Sequence, residues 1–279
     1  MPAPGHIHLQ VLIVTHQPAG AARVAAMNLP CVAGVEYLVS WQNHGDAPLP
    51  PELNRDDVTV HRFDRPGVSA NRNNLLRLAS APFVLVGDDD LQYSAEGLAA
   101  VLRCMESHPE TDYFSFRYTG ADRKGYPDAE CNLARLPRNF YQTAFEVGLN
   151  RRGRAAALQF SDYFGPGAPR FAASEDEMLL ACARHQGLSC RFFPLTVAEH
   201  PGLTTGSRPT ATRGILASKG AMIGLCYPWS SPARVVLASW RESRRGRMAF
   251  LPALRAIASG ARYALFHRNK LFNSGKNES

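Results

Sequence analysis

The chain has 279 residues, of which 45% are hydrophobic and 20% charged. Those proportions belong to a globular protein and exclude a disordered or fibrous chain. The length suits one generous α/β domain, or one domain with a helical appendage.

The formal net charge of +7 is unevenly spread. Residues 201–279 hold thirteen Lys and Arg against two Glu, whereas residues 1–200 hold eighteen basic and twenty-two acidic residues. A basic segment therefore follows a mildly acidic body, and such an asymmetry calls for a polyanionic partner: nucleic acid, anionic lipid or a phosphorylated ligand. No run is long and uncharged enough to span a membrane. The opening residues carry no basic leader or small-residue cleavage site, so the expectation is a cytoplasmic protein. Six cysteines without a C-x-x-C pair read as free thiols.

In chain order, residues 8–15 predict a strand and the Ala-rich residues 19–27 a helix. Residues 35–41 and 57–61 are the next strands, separated by a Pro-rich loop. Residues 69–80 predict a helix with Ser69 as its N-cap. Residues 82–87 are apolar throughout, as in a central strand covered on both faces. A helix over 94–106 and an alternating strand over 112–119 complete the rhythm of strand and helix. That rhythm argues for a mostly parallel sheet covered by helices. Residues 120–137 are a polar excursion. Residues 174–187 return as a helix with acids in its first turn and Gly187 at its end, and 188–197 are β-like. A Gly/Ser/Thr-rich loop over 200–212 leads into amphipathic helices. In the last of these, Arg255, Ser259 and Arg262 fall on one face and Leu254, Ile257, Ala258, Ala261 and Leu265 on the other.

Four local patterns carry chemistry. The first is Val84-Leu85-Val86-Gly87-Asp88-Asp89-Asp90, an apolar strand running into three carboxylates. Ligands of open α/β sheets bind at the carboxyl ends of strands. Adjacent anions need a counter-charge, which a hard divalent cation supplies; a capped, solvated turn is the alternative. The second is Gly67-Val68-Ser69-Ala70-Asn71-Arg72-Asn73, a helix start suited to an anion, or an ordinary capped helix with a surface Arg. The third is Glu175-Asp176 opening a later helix, where acids also simply suit the dipole. The fourth is His200 beside Glu199 at the end of a β-like run, a position that a structural His also occupies.

Together, a strand ending in Asp-Asp-Asp, an upstream Ser-x-x-Arg-Asn, a Glu-Asp helix start and a following His resemble the inverting glycosyltransferases of the GT-A fold, family 2 type, that build bacterial surface polysaccharides. The resemblance runs over residues 9–205 in motif order. It implies a GT-A (Rossmann-like) nucleotide-sugar-binding catalytic domain over 1–205 and a basic helical segment over 206–279. It implies Asp88 and Asp89 at the nucleotide, with Asp88 facing the ribose. It implies Asp90, Asp88 and His200 around Mn2+ or Mg2+, and Asp176 as general base with Glu175 as second choice. Thr15, His16 and Arg72 would contact the nucleotide, and Arg208, in the flexible 204–208 loop, would reach the diphosphate. The donor would be a nucleoside diphosphate sugar, UDP-linked by default, and the acceptor a glycan or lipid-linked hydroxyl. One departure stands out: many relatives end the second strand in a D-G-S-type turn, and this chain has Trp41-Gln42-Asn43-His44-Gly45-Asp46.

The basic tail suits an anionic membrane surface at the inner face of the cell membrane, or a packed helical layer showing its arginines to water. It carries no nucleic-acid-binding motif, so no nucleic-acid partner is expected. Two further functions compete. A nucleotidyltransferase would need a basic Gly-rich loop after the first strand, where Thr15-His16-Gln17-Pro18-Ala19-Gly20 stands. A non-catalytic scaffold of polysaccharide assembly would not need the acidic triplet.

Overall fold

The computed structural model describes residues 7–120, 124–137, 140–202 and 211–273. They divide into two units, the first comprising residues 1–66, 70–158 and 183–203, the second residues 67–69, 159–182 and 204–279.

The first unit is built on one sheet. Its strands are β1 (Leu9–His16), β2 (Val35–Gln42), β3 (Val58–Phe63), β4 (Phe83–Asp88), β5 (Tyr113–Gly120), β6 (Cys131–Asn132), β7 (Val147–Asn150) and β8 (Cys190–His200). They lie in the order β3-β2-β1-β4-β7-β5-β8-β6. Pairs β1–β2, β2–β3, β1–β4 and β5–β8 are parallel, while β7 is antiparallel to both β4 and β5, and β6 to β8. The helices α1 (Gly20–Ala26), α2 (Val68–Leu78) and α3 (Ala95–Ser107) alternate with the early strands. Leu9, Val11 and Ile13 on one face of β1 and Leu12 and Val14 on the other are all buried, and β4 is buried from Phe83 to Val86. Strands covered on both faces need no alternation, hence the apolar runs. The strand order reverses direction beside β1, where β4 flanks it opposite β2, and that switch point is where such sheets take ligands.

Ser94 caps α3, accepting from the Gly97 N–H at 3.0 Å. Ser69 is not the cap of α2. The helix already begins at Val68, after Gly67 at φ 101°, and the Ser69 hydroxyl donates to the Phe164 carbonyl at 2.7 Å. The polar stretch 120–137 contributes the short edge strand β6. Strand β7 has no counterpart in the sequence reading. Its Gly148 packs closely, since a Cβ there would lie 2.9 Å from Met105 Cε and 3.1 Å from Phe116 Cε2.

In the second unit lie the first turns of α4 (Glu175–His185) and the helices α5 (Arg213–Cys226), α6 (Ser231–Arg244), α7 (Phe250–Phe266) and α8 (Arg268–Phe272). Leu216, Val235, Ala238, Ala253, Ile257 and Ala261 form its apolar core. Helices α5 and α7 approach backbone to backbone through glycine. A Cβ at Gly220 would sit 1.9 Å from the Ile257 carbonyl oxygen, and one at Gly260 1.9 Å from that of Ala217. The buried face of α7 is therefore Ala253, Ile257, Gly260, Ala261 and Ala264, and Ala258 and Leu265, expected inside, are exposed. Glu242 is buried beneath Lys219 at 2.6 Å and Arg247 at 3.6 Å. No helix among the described residues is long and apolar enough to cross a membrane. The six cysteines are free thiols, with Cys31 and Cys226 exposed.

Because the α5–α7 seam has no room for a Cβ, Gly260→Val is expected to destabilise the chain by about 2 kcal/mol or more, read as a lower midpoint in urea. An unchanged midpoint would mean the helices can part freely.

Candidate active site

Strand β4 ends in the acidic triplet, and each carboxylate meets a nitrogen-bearing side chain from a different element of the first unit. Asp88 accepts from Arg72 Nη2 of α2 at 2.8 Å, and Arg72 is almost wholly buried. Asp89 accepts from Arg23 Nε at 2.9 Å and Nη2 at 2.7 Å, and from the Thr15 hydroxyl. Asp90 faces His200 Nε2 at 3.4 Å. Two carboxylates about 5 Å apart repel by about 3 kcal/mol at an effective dielectric of about 20. Side chains of the protein itself therefore offset much of the charge that the sequence reading assigned to a metal.

The three pairs are not equivalent. Arg72 and Arg23 are permanently charged forks, whereas the third partner is an imidazole and the Asp90 side chain is 56% exposed. Burial, then the neighbouring Asp88, push the Asp90 carboxyl above its ordinary range; His200 pulls it down and Asp89 raises it further. His200 itself is buried. Its ring lies parallel to Phe145 at 5.4 Å between centroids and edge-on to Tyr118 at 6.2 Å. Its Nδ1 sits 2.6 Å from the Gly202 carbonyl oxygen, to which it donates, leaving Nε2 turned to Asp90. A reciprocal backbone bridge, Gln92 N–H to Glu199 O at 2.8 Å and Glu199 N–H to Gln92 O at 2.9 Å, fixes the segment after Asp90 against the end of β8.

The strand ends around this cluster are also held. Asn71 Nδ2 donates to the carbonyls of Thr15 and Ser40, both at 3.2 Å, stitching β1 to β2. Thr15 is buried and His16 exposed, with the His16 carbonyl accepting from Arg23 Nη2 at 2.9 Å. Gln17 and Asn43, the residues just past β1 and β2, both adopt left-handed backbone, at φ 68° and 50°. Such strain in non-glycine residues is found where a site dictates the backbone. Gly87 leaves room for Tyr93, whose hydroxyl would lie 2.5 Å from a Cβ there. Behind Phe145, Glu146 is fully buried and takes Lys124, the Tyr126 hydroxyl at 2.5 Å and the Thr143 N–H at 2.8 Å.

Thr15, Arg72, Asp88, Asp89, Asp90 and His200 thus meet at adjoining strand and helix ends of one unit. Arg23, Asn71 and Phe145 complete that cluster and were not singled out in the sequence. Trp41, at the departure from the D-G-S turn, is fully buried and donates its indole N–H to the Gln17 carbonyl at 2.7 Å, so it is a core residue. Glu175 and Asp176 open α4 in the second unit, Glu175 buried and Asp176 half-buried. Ser174, before them, is left-handed at φ 69° while its carbonyl accepts from the Met178 N–H at 2.9 Å. Arg208 and the rest of the 204–208 loop lie outside the described residues.

No group of three His, Cys, Asp or Glu converges as a closed metal cage among the described residues. Asp90 and His200 offer one oxygen and one nitrogen donor. That set fits a hard divalent cation whose other positions go to phosphate oxygens and water, with the Nδ1–carbonyl bond orienting the imidazole as metal sites require.

Residues 47–163 match the family model described as glycosyl transferase family 2. Among solved structures, S. aureus TarS 1–349 is similar in fold, with a TM-score of 0.54 at 13% identity over 96% of this chain and 89% of that one. The same protein in complex with UDP-GlcNAc gives a TM-score of 0.52 at 13% identity over 96% and 91%. A mycobacterial protein gives 0.53 at 14% identity over 78% and 75%. No curated protein matches by sequence. The sheet and the helices that cover it have the GT-A fold. The chain is a glycosyltransferase whose residues 47–163 match the family 2 model.

The Arg72–Asp88 pair gives a direct test. Arg72→Met leaves a half-buried carboxylate without its fork and is expected to cost about 2 kcal/mol. Asp88→Asn on the same background should recover most of that loss in urea unfolding. Simple additivity of the two changes would show that the residues do not interact.

Proposed function

We propose that this glycosyltransferase moves a sugar from a nucleoside diphosphate sugar, UDP-linked, to a hydroxyl of a glycan or lipid-linked acceptor, with inversion at the anomeric carbon. The observation that carries the reading is the graded triplet at the end of β4. Two aspartates are tied to guanidiniums, and the third stays exposed beside a buried imidazole.

On this reading Asp88 and Asp89, held by Arg72 and Arg23, present fixed oxygens to the ribose, and Thr15 and His16 border the nucleotide. Arg72, paired with Asp88, borders the nucleotide, and Arg208 adds a fork to the diphosphate. A Mn2+ or Mg2+ ion held by Asp90 and His200, with Asp88 beside it, would supply Lewis-acid stabilisation to the departing diphosphate. The acceptor oxygen attacks the anomeric carbon as the bond from that carbon to the diphosphate oxygen breaks. The bonding pair leaves with the diphosphate, and the acceptor proton passes to Asp176. Asp176 lies in the first turn of α4, where the helix dipole favours a negative charge. Glu175 is the second candidate. The catalytic region is residues 1–205, which include α4's acidic turn.

Residues 206–279 form the basic helical segment, which we assign to an anionic membrane surface in the synthesis of bacterial surface polysaccharide. Large apolar side chains are exposed there, among them Trp229 at 96%, Phe266 at 75% and Trp240 at 52%, interleaved with Arg234, Arg241 and Arg244. That mixture suits headgroup level.

Release of nucleoside diphosphate across a panel of UDP-, GDP- and dTDP-sugars is expected to select UDP. Asp176→Asn should lower transfer at least about 10²-fold and leave UDP affinity within about twofold. Loss of UDP binding together with transfer would make Asp176 structural, and silence across the whole panel would contradict the reading.

A further inference from the structure

The second unit holds a second concentration of chemistry, distant in sequence from the acidic triplet and not used by the donor reading. Along α7, Arg255, Ser259 and Arg262 share one face at i, i+4 and i+7. With Arg170, Tyr263 and His267 they line a concavity of about 740 Å³. An adjoining hollow of about 410 Å³ shares Arg255 and Ser259 and is lined by Arg213 and Gly214 at the first turn of α5. Four guanidiniums thus border one continuous depression, and no carboxylate lines either part of it. The nearby acid of the bundle, Glu242, is already taken by Lys219 and Arg247. Among the described residues none of Arg170, Arg213, Arg255 or Arg262 has a carboxylate partner.

Two of the walls order the site. Arg170 lies over the Tyr263 ring at 4.3 Å, and Tyr263 packs on His267 at 4.3 Å between centroids. A guanidinium held by its face keeps its N–H edge free to donate. Arg255 and Arg262 are separated by about 10 Å along the helix, so their long side chains can close on one ligand from both ends. The first N–H groups of α5, a 14-residue helix, add partial positive charge beside Arg213. Two guanidiniums across such a span, Arg262 lying over the Phe266 ring at 5.8 Å, fit a dianionic phosphate or a diphosphate better than a single carboxylate.

We infer that this depression on α7 binds a phosphate- or diphosphate-bearing group, gripped by Arg255 and Arg262 and flanked by Arg170 and Arg213. The exposed Leu251, Leu265 and Phe266 on the same helix suit a group that carries an apolar chain, that is, a lipid phosphate headgroup. A free diphosphate is the other source of the same chemistry. The site itself stands apart from the donor assignment; only the lipid source rests on placing this segment at a membrane.

The test uses the full chain, Arg255→Gln/Arg262→Gln and the charge-preserving Arg255→Lys/Arg262→Lys. Each is titrated with inorganic pyrophosphate in the absence of divalent cation. Each is also co-sedimented with phosphatidylcholine vesicles with and without phosphatidic acid, and UDP affinity and the unfolding midpoint serve as controls. The Gln pair is expected to weaken pyrophosphate at least about tenfold and the Lys pair less. UDP affinity and the midpoint should be unchanged. Parallel loss of phosphatidic-acid vesicle binding assigns the ligand to a lipid, and pyrophosphate loss alone assigns it to a free diphosphate. Equal pyrophosphate affinity in wild type and the Gln pair, or no binding by wild type, overturns the inference whatever the vesicles do. Failure of the donor reading would instead appear as lost UDP binding in all three proteins.

Discussion

The structure of the first unit turns on how three consecutive carboxylates are tolerated at the end of a buried strand. Strand β4 cannot shift without unburying Phe83 to Val86, so the aspartates stay where the sheet puts them. Their repulsion is met by partners from three directions: Arg72 from α2, Arg23 from α1 and His200 from β8. Each partner also fixes the element that carries it, so the cluster and the packing of α1, α2 and β8 stand or fall together. The proposed function rests on the gradation. Permanent charges neutralise the first two aspartates, and the last is left exposed beside an ionisable ring with its Nε2 free to engage.

Much of this was legible in the sequence for simple reasons. Strands buried on both faces are uninterrupted apolar runs, and β1, β2 and β4 appeared where such runs stand. The acidic triplet is contiguous and follows one of them, so its place at a strand end could be read directly. What escaped reading is long-range. Arg23 sits in an Ala-rich helix with no local pattern, and Asp89 lies 66 residues away. Lys124 comes from the polar stretch 120–137, while Phe145 and Glu146 lie beyond it, in residues that carried no sequence expectation. There the Glu is satisfied by Lys, Tyr and Thr, and polarity no longer reports exposure. Strand β7 is four residues long with a glycine inside, too short for any periodicity. Trp41 looks like a ligand contact beside polar neighbours, but its indole N–H is spent on the backbone of Gln17.

The helical unit obeys a different rule. Its amphipathic pattern gave the faces only approximately, because the seam between α5 and α7 is set by Gly220, Gly224 and Gly260 rather than by bulky side chains. Backbones that close leave long apolar side chains without a place inside, and these emerge at the surface among arginines. The charge asymmetry counted along the chain thereby becomes a physical surface: cationic, partly apolar and hollowed along α7. On the proposed reading the acidic cluster serves a nucleotide's ribose and a metal, and the basic hollow a phosphate without metal.

The sharpest test of the central claim is the Mn2+ affinity of the UDP-saturated chain, measured by titration for wild type, Asp90→Asn and Asp89→Asn. The account predicts that Asp90→Asn weakens Mn2+ at least about tenfold and that Asp89→Asn, which touches a carboxylate already held by Arg23, leaves it nearly unchanged. Undiminished Mn2+ binding by Asp90→Asn would contradict it.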